Sequence, residues 1–343
     1  MRPRTITPPT ALLLYFFSIL VGLTATSAPV NAATPTPLKI LTLNVFAGKR
    51  EMDFERLSRQ ISAVRAINAD IIALQETYDD RVIEAYRKAF PDYHHFVTGH
   101  VPVPTRWSYR ALDWTHKALE LLSSLTGVAR WSRGSRQIFN GDTYGLMILL
   151  KNERGTVHAQ TQYSERFDVQ AGRGLLKLLE AVKPKALQWI QYEVDGVPLL
   201  VVNTHLSNGV ENTRRAGQHA QLAESLEKRA QEDSGFRQPV LFLADANADE
   251  SEPEIQWWHT QFKDTAPQGG VTWDDQNPLA QTGNLKEPPQ RLDYISTRDS
   301  AYHRIEAVNT KTVFNTHGNY ISDHNGVVAE VTIHLCQTLL ESR

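Results

Sequence analysis

The stretch Pro239–Glu250, PVLFLADANADE, contains a short apolar run that stops abruptly in polar residues. Val240–Leu243 is apolar at every position, which is typical of a strand buried on both faces. Asp245 and Asn247 follow it two residues apart, so their side chains should project in the same direction. A buried carboxylate and amide are costly without a partner. The stretch therefore predicts either a site that orients a water or a phosphate oxygen, or a plain loop cap and turn.

The first 32 residues have the composition of a secretory signal peptide. Arg2 and Arg4 supply positive charge, and Ala11–Leu23 is apolar but too short to span a membrane comfortably. Small residues at Val30 and Ala32 stand where a signal peptidase cuts. We expect cleavage after Ala32 and export to the periplasm or the medium. The alternative is a retained anchor with a single membrane span.

Residues 33–343 are long enough for one large domain or two small ones, and we expect a single domain there. Loss of Arg2 and Arg4 moves the formal charge from −2 to −4, which excludes a strongly basic nucleic-acid-binding surface. It does not exclude a nuclease that relies on metal ions. Because Cys336 is the one cysteine of the chain, an internal disulfide is impossible.

Polar residues also mark the ends of other predicted strands. Three of them are the last residues of predicted strands: Asn44 of Leu38–Asn44, Glu76 of Asp70–Glu76, and His205 of Val197–His205. Asp293 lies near the start of Arg291–Thr297, and Asp323 and His324 precede Val327–Leu335. In α/β proteins, ligand sites lie at strand ends, where polar groups from separate strands converge. We therefore expect these side chains to form one site with Asp245 and Asn247.

The remaining pattern predicts one hairpin and several helices. Asp195-Gly196 joins the strands Trp189–Val194 and Val197–His205, which is a strong hairpin signal. Apolar spacing predicts one helix that begins at Asp53 and carries Phe54 on its buried face. It predicts further helices over Arg81–Phe90, over Glu211–Glu232 and around Trp257-Trp258. A further strand is expected at Thr143–Leu150, and another at Arg304–Phe314.

Residues 100–140 form the least regular part of the sequence and contain Trp107, Trp114 and Trp131. We interpret this segment as a helical insertion packed on the core. The alternative is an aromatic surface that contacts a lipid interface or stacks on a substrate.

The predicted site comprises carboxylates, amides and two histidines, without a cysteine. Oxygen donors such as Asn44, Glu76 and Asp323 suit Mg²⁺ or Mn²⁺ better than zinc. Two histidines beside a carboxylate-bound cation suit phosphoryl chemistry, because one imidazole can accept a proton while the other donates one. We therefore expect phosphate-ester hydrolysis in which His205 and His324 take part.

Six short motifs resemble, in order and with compatible spacing, those of the endonuclease/exonuclease/phosphatase superfamily. They are LTLNVFAG, IIALQE, VVNTHLSNG, LFLADAN, RLDYIS and SDHNGVV, and they cover nearly all of residues 33–343. The resemblance implies a DNase I-like α/β fold, a four-layer sandwich of two mixed β-sheets flanked by helices. It also implies that Glu76 is the principal metal ligand, with Asn44 beside it and Asp323 supporting the metal or a water.

The same resemblance implies roles for the other residues. Asp245 and Asn247 would position the attacking water and the phosphate, and Asp293 would hold the tautomer of His324. His324 would then be the general base or a phosphate ligand. Whether Asp245 or His324 is the general base stays open. His205 would stabilise the phosphate or protonate the leaving oxygen.

Within the superfamily, the chain is most similar to the neutral sphingomyelinase branch. The similarity lies in TYGLMILLKNE, in AGRGLLK, in His205 and in Val271-Thr272-Trp273, whereas Ala244 and Ala246 depart from the usual residues. We therefore expect an Mg²⁺-dependent phosphodiesterase acting on a phospholipid or sphingolipid head group. We further expect a monomer with peripheral membrane contact. Nucleic acid ranks second as substrate and a small phosphate ester third. A catalytically inactive binding protein on the same fold is the rival interpretation.

Overall fold

The computed structural model describes residues 37–47, 54–98, 144–157, 162–168, 185–207, 212–232, 237–280, 288–316 and 319–336. The predicted signal peptide, the whole predicted insertion at 100–140 with its three tryptophans, and the motif AGRGLLK lie outside these residues. None of the described helices is long and apolar enough to cross a membrane.

The first sheet has six strands in the order β12-β13-β1-β2-β4-β3. The strands are β1 (Leu38–Asn44), β2 (Ile71–Gln75), β3 (Tyr93–Val97), β4 (Leu146–Lys151), β12 (His303–Val313) and β13 (Gly326–Leu335). Strands β1 and β2 are parallel, and the other neighbours are antiparallel. The sheet is therefore mixed, as predicted, and β3 is a strand that the sequence did not predict.

The second sheet has seven strands, six of them in the order β10-β11-β9-β8-β7-β5, with β6 also paired to β7. The strands are β5 (Gly155–Val157), β6 (Tyr163–Arg166), β7 (Ala186–Val194), β8 (Val197–His205), β9 (Val240–Asp245), β10 (Lys263–Asp264) and β11 (Asp293–Arg298). The predicted hairpin between β7 and β8 is confirmed. Asp195 and Gly196 have φ values of 51° and 80°, the left-handed pair that a tight two-residue hairpin loop requires.

In the described part of the chain, two helices cover the outer face of each sheet. They are α1 (Phe54–Ile67) and α2 (Asp80–Ala89) on the first sheet, and α3 (Asn212–Glu232) and α4 (Pro253–Gln261) on the second. Asp79 caps α2 by accepting a hydrogen bond from the backbone N–H of Arg81, and Pro253 occupies the first turn of α4. Phe54 was expected on the buried face but is 77% exposed, because it is the first residue of α1 and burial begins two residues later, at Arg56.

The main core lies between the two sheets. Ile40, Ile71 and Ile148 of the first sheet belong to the same buried cluster as Val201 and Leu241 of the second. Each sheet also buries its opposite face under helices. Because a central strand is covered by a sheet on one side and by helices on the other, it is apolar at nearly every position. The four-layer sandwich predicted from the sequence is confirmed.

Strand pairing places the polar strand ends at one edge of the sandwich. Asn44 pairs with Gln75, His205 with Asp245, and Asp245 with Asp293. Strands β1, β2, β8 and β9 end here, whereas β11 and β13 begin here. We call this edge the site edge.

The chain between β3 and β4 also joins the fold at the site edge. The backbone N–H of Thr98 donates to Leu146 O at 3.0 Å, and Leu146 N–H donates to Thr98 Oγ1 at 3.3 Å. Leu146 in turn pairs with Gln75, the last residue of β2. The described chain therefore stops at Thr98 and resumes at Tyr144 beside the end of β2.

Just below the site edge, a pair of buried amides links the two sheets. Gln75 Nε2 donates to Asn203 Oδ1 at 2.8 Å, and Asn203 Nδ2 donates to Leu74 O at 3.1 Å. Gln75 and Asn203 are fully buried. A buried amide that loses its partner keeps the full cost of having left water.

We predict that Asn203→Leu lowers the free energy of unfolding by about 2 kcal/mol or more, because Gln75 Nε2 keeps Thr42 Oγ1 but loses its other acceptor, and Leu74 O loses a donor, inside an apolar interior. The matched control is Gln256→Leu, since the Gln256 amide donates to Ser251 O on an exposed surface. The control should change stability by less than about 0.5 kcal/mol. Urea unfolding followed by circular dichroism measures both, and equal effects would contradict the structural role of the buried pair.

Candidate active site

Asp245 is the centre of the site edge and receives hydrogen bonds from two directions. Its side chain is fully buried at the end of β9. Asn44 Nδ2, from the other sheet, donates to Asp245 Oδ2 at 2.8 Å, and the backbone N–H of Asn247 donates to Oδ1 at 3.0 Å. The Asn44 amide is itself oriented, because its Oδ1 accepts from Phe46 N–H at 2.9 Å. The carboxylate is therefore fixed in one orientation before any substrate arrives.

His205 lies on one side of Asp245 and is surrounded by hydrogen-bond donors. Its Nε2 lies 3.3 Å from Asp245 Oδ2, 2.9 Å from Asn247 Nδ2 and 2.6 Å from Lys185 Nζ. The Asn247 amide also donates to Leu206 O at 2.8 Å, which orients its NH₂ group towards the ring. Lys185 Nζ also lies 3.1 Å from Nδ1, and donors this close to both ring nitrogens favour a neutral imidazole.

The electrostatics of His205 also favour the neutral ring. Burial and the neighbouring Lys185 ammonium lower the pKa of His205 to about 3, although the carboxylates of Asp245 and Glu76 act in the opposite direction. His205 is therefore neutral at physiological pH.

His324 lies on the other side of Asp245 and has the opposite charge. Its Nδ1 lies 2.8 Å from Asp293 Oδ2, and its Nε2 lies 3.9 Å from Asp245 Oδ2. Burial alone would lower the pKa of His324, but the charges of Asp293, Asp245 and Asp323 outweigh burial and raise this pKa well above 6.5. At neutral pH the ring is an imidazolium that donates its Nδ1–H to Asp293.

The three residues predicted as metal ligands lie at the same edge. Asn44 ends β1, and Glu76 directly follows β2 in a left-handed conformation with φ 58°. Asp323 is half-buried in the turn before β13, and Ser322 Oγ ties that turn to β1 by donating to Asn44 O at 2.6 Å. The structure thus brings all eight predicted site residues together, while their individual chemical roles stay predictions.

The donor set at the site edge fits a hard divalent cation. Asp245, Asp293 and His324 offer ligand atoms that all lie within 4.8 Å of one another, a group that could hold a metal ion. Among the described residues, Asp293 Oδ1 is buried without a hydrogen-bond partner, so it is an acceptor that a cation could occupy. Carboxylate and amide oxygens are the ligands that Mg²⁺ and similar ions prefer. These three residues were predicted to be catalytic rather than metal-binding, so the structure adds a second possible ligand group beside Asn44, Glu76 and Asp323.

Sequence reasoning missed two cations that support the site. Lys185 is buried directly before β7, whose first residue, Ala186, pairs with His205. The register of the predicted hairpin could therefore have placed Lys185 next to His205. Arg215 of α3 is also buried and donates from Nη1 to the backbone carbonyl of Asn247. That contact braces Asn247, whose φ of 48° is left-handed. No local pattern in α3 indicates this role for Arg215.

Comparison with known proteins was made by sequence and by structure. The model of the Endonuclease/Exonuclease/phosphatase family matches residues 41–324. No curated protein matches the chain by sequence.

Several solved structures share the fold. An endonuclease/exonuclease/phosphatase from Bacteroides vulgatus is 15% identical with a TM-score of 0.58, covering 87% of this chain and 100% of that one. D. rerio TDP2, complexed with a single-strand DNA product, is 16% identical with a TM-score of 0.58, covering 87% and 99%. The Bacteroides thetaiotaomicron mannosyl-6-phosphatase Bt3783 is 14% identical with a TM-score of 0.56, covering 86% and 99%. At these identities the likeness is one of fold.

We predict that the two buried histidines differ in charge in the metal-free protein. In ¹⁵N-edited NMR, His205 should keep the spectrum of a neutral ring from pH 8 to pH 5, because its pKa lies at about 3. His324 should show an imidazolium spectrum at pH 7, because its pKa lies well above 6.5. The variants His205→Gln and His324→Gln assign the two signals. A His205 ring that gains its proton between pH 7 and pH 6 would contradict the geometry.

Proposed function

The chain belongs to the endonuclease/exonuclease/phosphatase family, and from that premise we propose that it is an exported, Mg²⁺-dependent phosphodiesterase acting on phospholipid or sphingolipid head groups. Members of this family are typically hydrolases of phosphate esters. The observation that carries the proposal is the convergence of Asp245, His205 and His324 from three separate segments on one buried edge. A monomer with peripheral contact to a lipid surface completes the proposal.

Asp245 is the group placed to orient and deprotonate the attacking water. Its two oxygens each accept one hydrogen bond, from Asn44 and from the Asn247 backbone, and each keeps a lone pair for the water. In the metal-free protein, the surrounding acids raise the pKa of His324 and favour its protonated form, which is a proton donor. This contrast favours Asp245 over His324 as the general base.

Cationic and amide donors on both sides of Asp245 are placed to bind the phosphate. His324 can donate Nε2–H from one side, while Lys185 and the Asn247 amide lie on the other. Water attacks phosphorus in line and the ester P–O bond breaks. The proton of the water passes to Asp245, and the leaving alcohol takes a proton from one of the two cations, His324 or Lys185. Donors fixed in advance stabilise the charge that develops in the transition state.

Glu76, Asn44 and Asp323 would hold the metal ion, with the buried Asp245–Asp293–His324 group as the other candidate. A bound Mg²⁺ supplies neutralisation of a non-bridging phosphate oxygen, and Mn²⁺ has the same ligand preference.

The lipid substrate is supported by the sequence similarity to the neutral sphingomyelinase branch and by the aromatic residues of segment 100–140. A formal charge of −4 after signal removal disfavours nucleic acid. Nucleic acid stays the second candidate, since D. rerio TDP2 of the same fold was solved with a DNA product. A small phosphate ester is the third, since another neighbour is a mannosyl-6-phosphatase. An inactive binding protein would not need every acid, amide and histidine of the site.

A substrate panel tests the proposal on purified residues 33–343. Sphingomyelin, phosphatidylcholine, plasmid DNA and p-nitrophenyl phosphate are each incubated with Mg²⁺ and with EDTA. We expect head-group release from the lipids that EDTA abolishes. Plasmid nicking with intact lipids would overturn the substrate ranking, and absence of metal-dependent turnover with every ester would favour the binding protein. Fractionation of a host that expresses the full chain tests export.

Two substitutions separate metal binding from acid–base chemistry. We predict that Glu76→Gln raises the Mg²⁺ concentration needed for half-maximal activity, because it removes a ligand charge. His324→Gln should lower kcat by about 10²- to 10⁴-fold at saturating Mg²⁺, as expected for a lost acid–base or charge-stabilising group. His334→Gln is the matched control, since His334 lies on β13 away from the site edge. Near-normal kcat in His324→Gln would show that the reaction occurs elsewhere.

A further inference from the structure

A short segment, Val271–Trp273, packs between the two chain segments that carry Asp293 and His324. Its central residue, Thr272, is fully buried. Thr272 Oγ1 accepts two hydrogen bonds, from Leu292 N–H at 2.8 Å and from Asp293 N–H at 3.0 Å. One hydroxyl oxygen therefore fixes two successive backbone amides at the point where β11 begins.

The main chain of the same segment holds His324. Thr272 O accepts from the backbone N–H of Asn325 at 2.7 Å, and Trp273 pairs antiparallel with His324. Trp273 also pairs with Gln290, just before β11. Thr272 thus ties the Asp293 segment through its side chain and the His324 segment through its carbonyl oxygen.

We propose that Thr272 is a positioning residue that sets the distance and angle between Asp293 and His324. The inference rests on the proposed function, because it concerns the pair that serves the reaction. The Nδ1–Oδ2 distance in this pair is 2.8 Å, and the two residues belong to separate segments, 31 positions apart in sequence. Without the hydroxyl, the start of β11 loses the acceptor of two buried amides, so Asp293 moves relative to the ring. A shift of about 1 Å in such a group can cost about 100-fold in rate.

Three variants isolate the hydroxyl. Thr272→Val keeps the shape of the side chain and removes the acceptor, whereas Thr272→Ser keeps the acceptor and removes a methyl group. The matched control is Thr265→Val. Thr265 is also buried, and its hydroxyl donates to Ile295 O of the same strand β11 at 2.8 Å, away from the site edge.

The measurements are kcat and KM on bis-p-nitrophenyl phosphate, the melting temperature, and the downfield proton signal of His324 Nδ1–H in the metal-free protein. We expect Thr272→Val to lower kcat by about 10- to 100-fold with little change in KM and to shift or broaden the proton signal. Thr272→Ser should restore both. Thr265→Val should lower the melting temperature about as much as Thr272→Val does while leaving kcat and the signal unchanged.

Other outcomes overturn the inference. An unchanged proton signal and kcat in Thr272→Val would show that the hydroxyl does not set the pair. Equal damage in the Ser and Val variants would show that Thr272 acts through packing alone. If the unsubstituted protein hydrolyses no ester, the proposed function fails, and the proton signal across the three variants still decides whether Thr272 positions His324.

Discussion

The site depends on hydrogen bonds that cross the dry space between the two sheets. Asn44 of the first sheet donates to Asp245 of the second, and Gln75 donates to Asn203 one layer below. Because the surrounding interior is apolar, these amides and the carboxylate cannot form hydrogen bonds with water instead of with each other. Each donor therefore holds its acceptor in place. Any slip of one sheet over the other would break both contacts at once. The relative position of the sheets, and with it the spacing of the strand ends, is therefore specified by these polar groups together with the apolar core.

On that fixed frame, one carboxylate lies between two histidines of opposite character. His205 is kept neutral by burial and by a neighbouring ammonium, whereas His324 is kept charged by three acids. The residue type is the same, and the environment alone assigns the charge. Asp245 thus has the His324 cation on one side, and on the other the neutral His205 ring with the Lys185 ammonium next to it. Such an arrangement suits a dianionic transition state better than two identical histidines would.

The sequence predicted the parts of this arrangement that follow from one strand at a time. Val240–Leu243 and its polar end were recognisable because burial on both faces removes alternation, and the Asp195-Gly196 turn fixed one register. Strand β3 was missed because Tyr93–Val97 is a half-exposed edge strand with two histidines and no clear period. Lys185, Arg215 and the double acceptor at Thr272 were missed because their roles arise only when distant segments meet. Even Phe54, correctly placed in a helix, was assigned to the wrong environment because periodicity does not show where the sheet begins to cover a helix.

The tether between Thr98 and Leu146 has an evolutionary consequence. The described chain stops at Thr98 and resumes at Tyr144, and hydrogen bonds join Thr98 to Leu146 next to the end of β2. Every residue of the β3–β4 ladder lies outside positions 99–143. Sequence change within those positions can therefore accumulate over generations without removing a rung of that ladder.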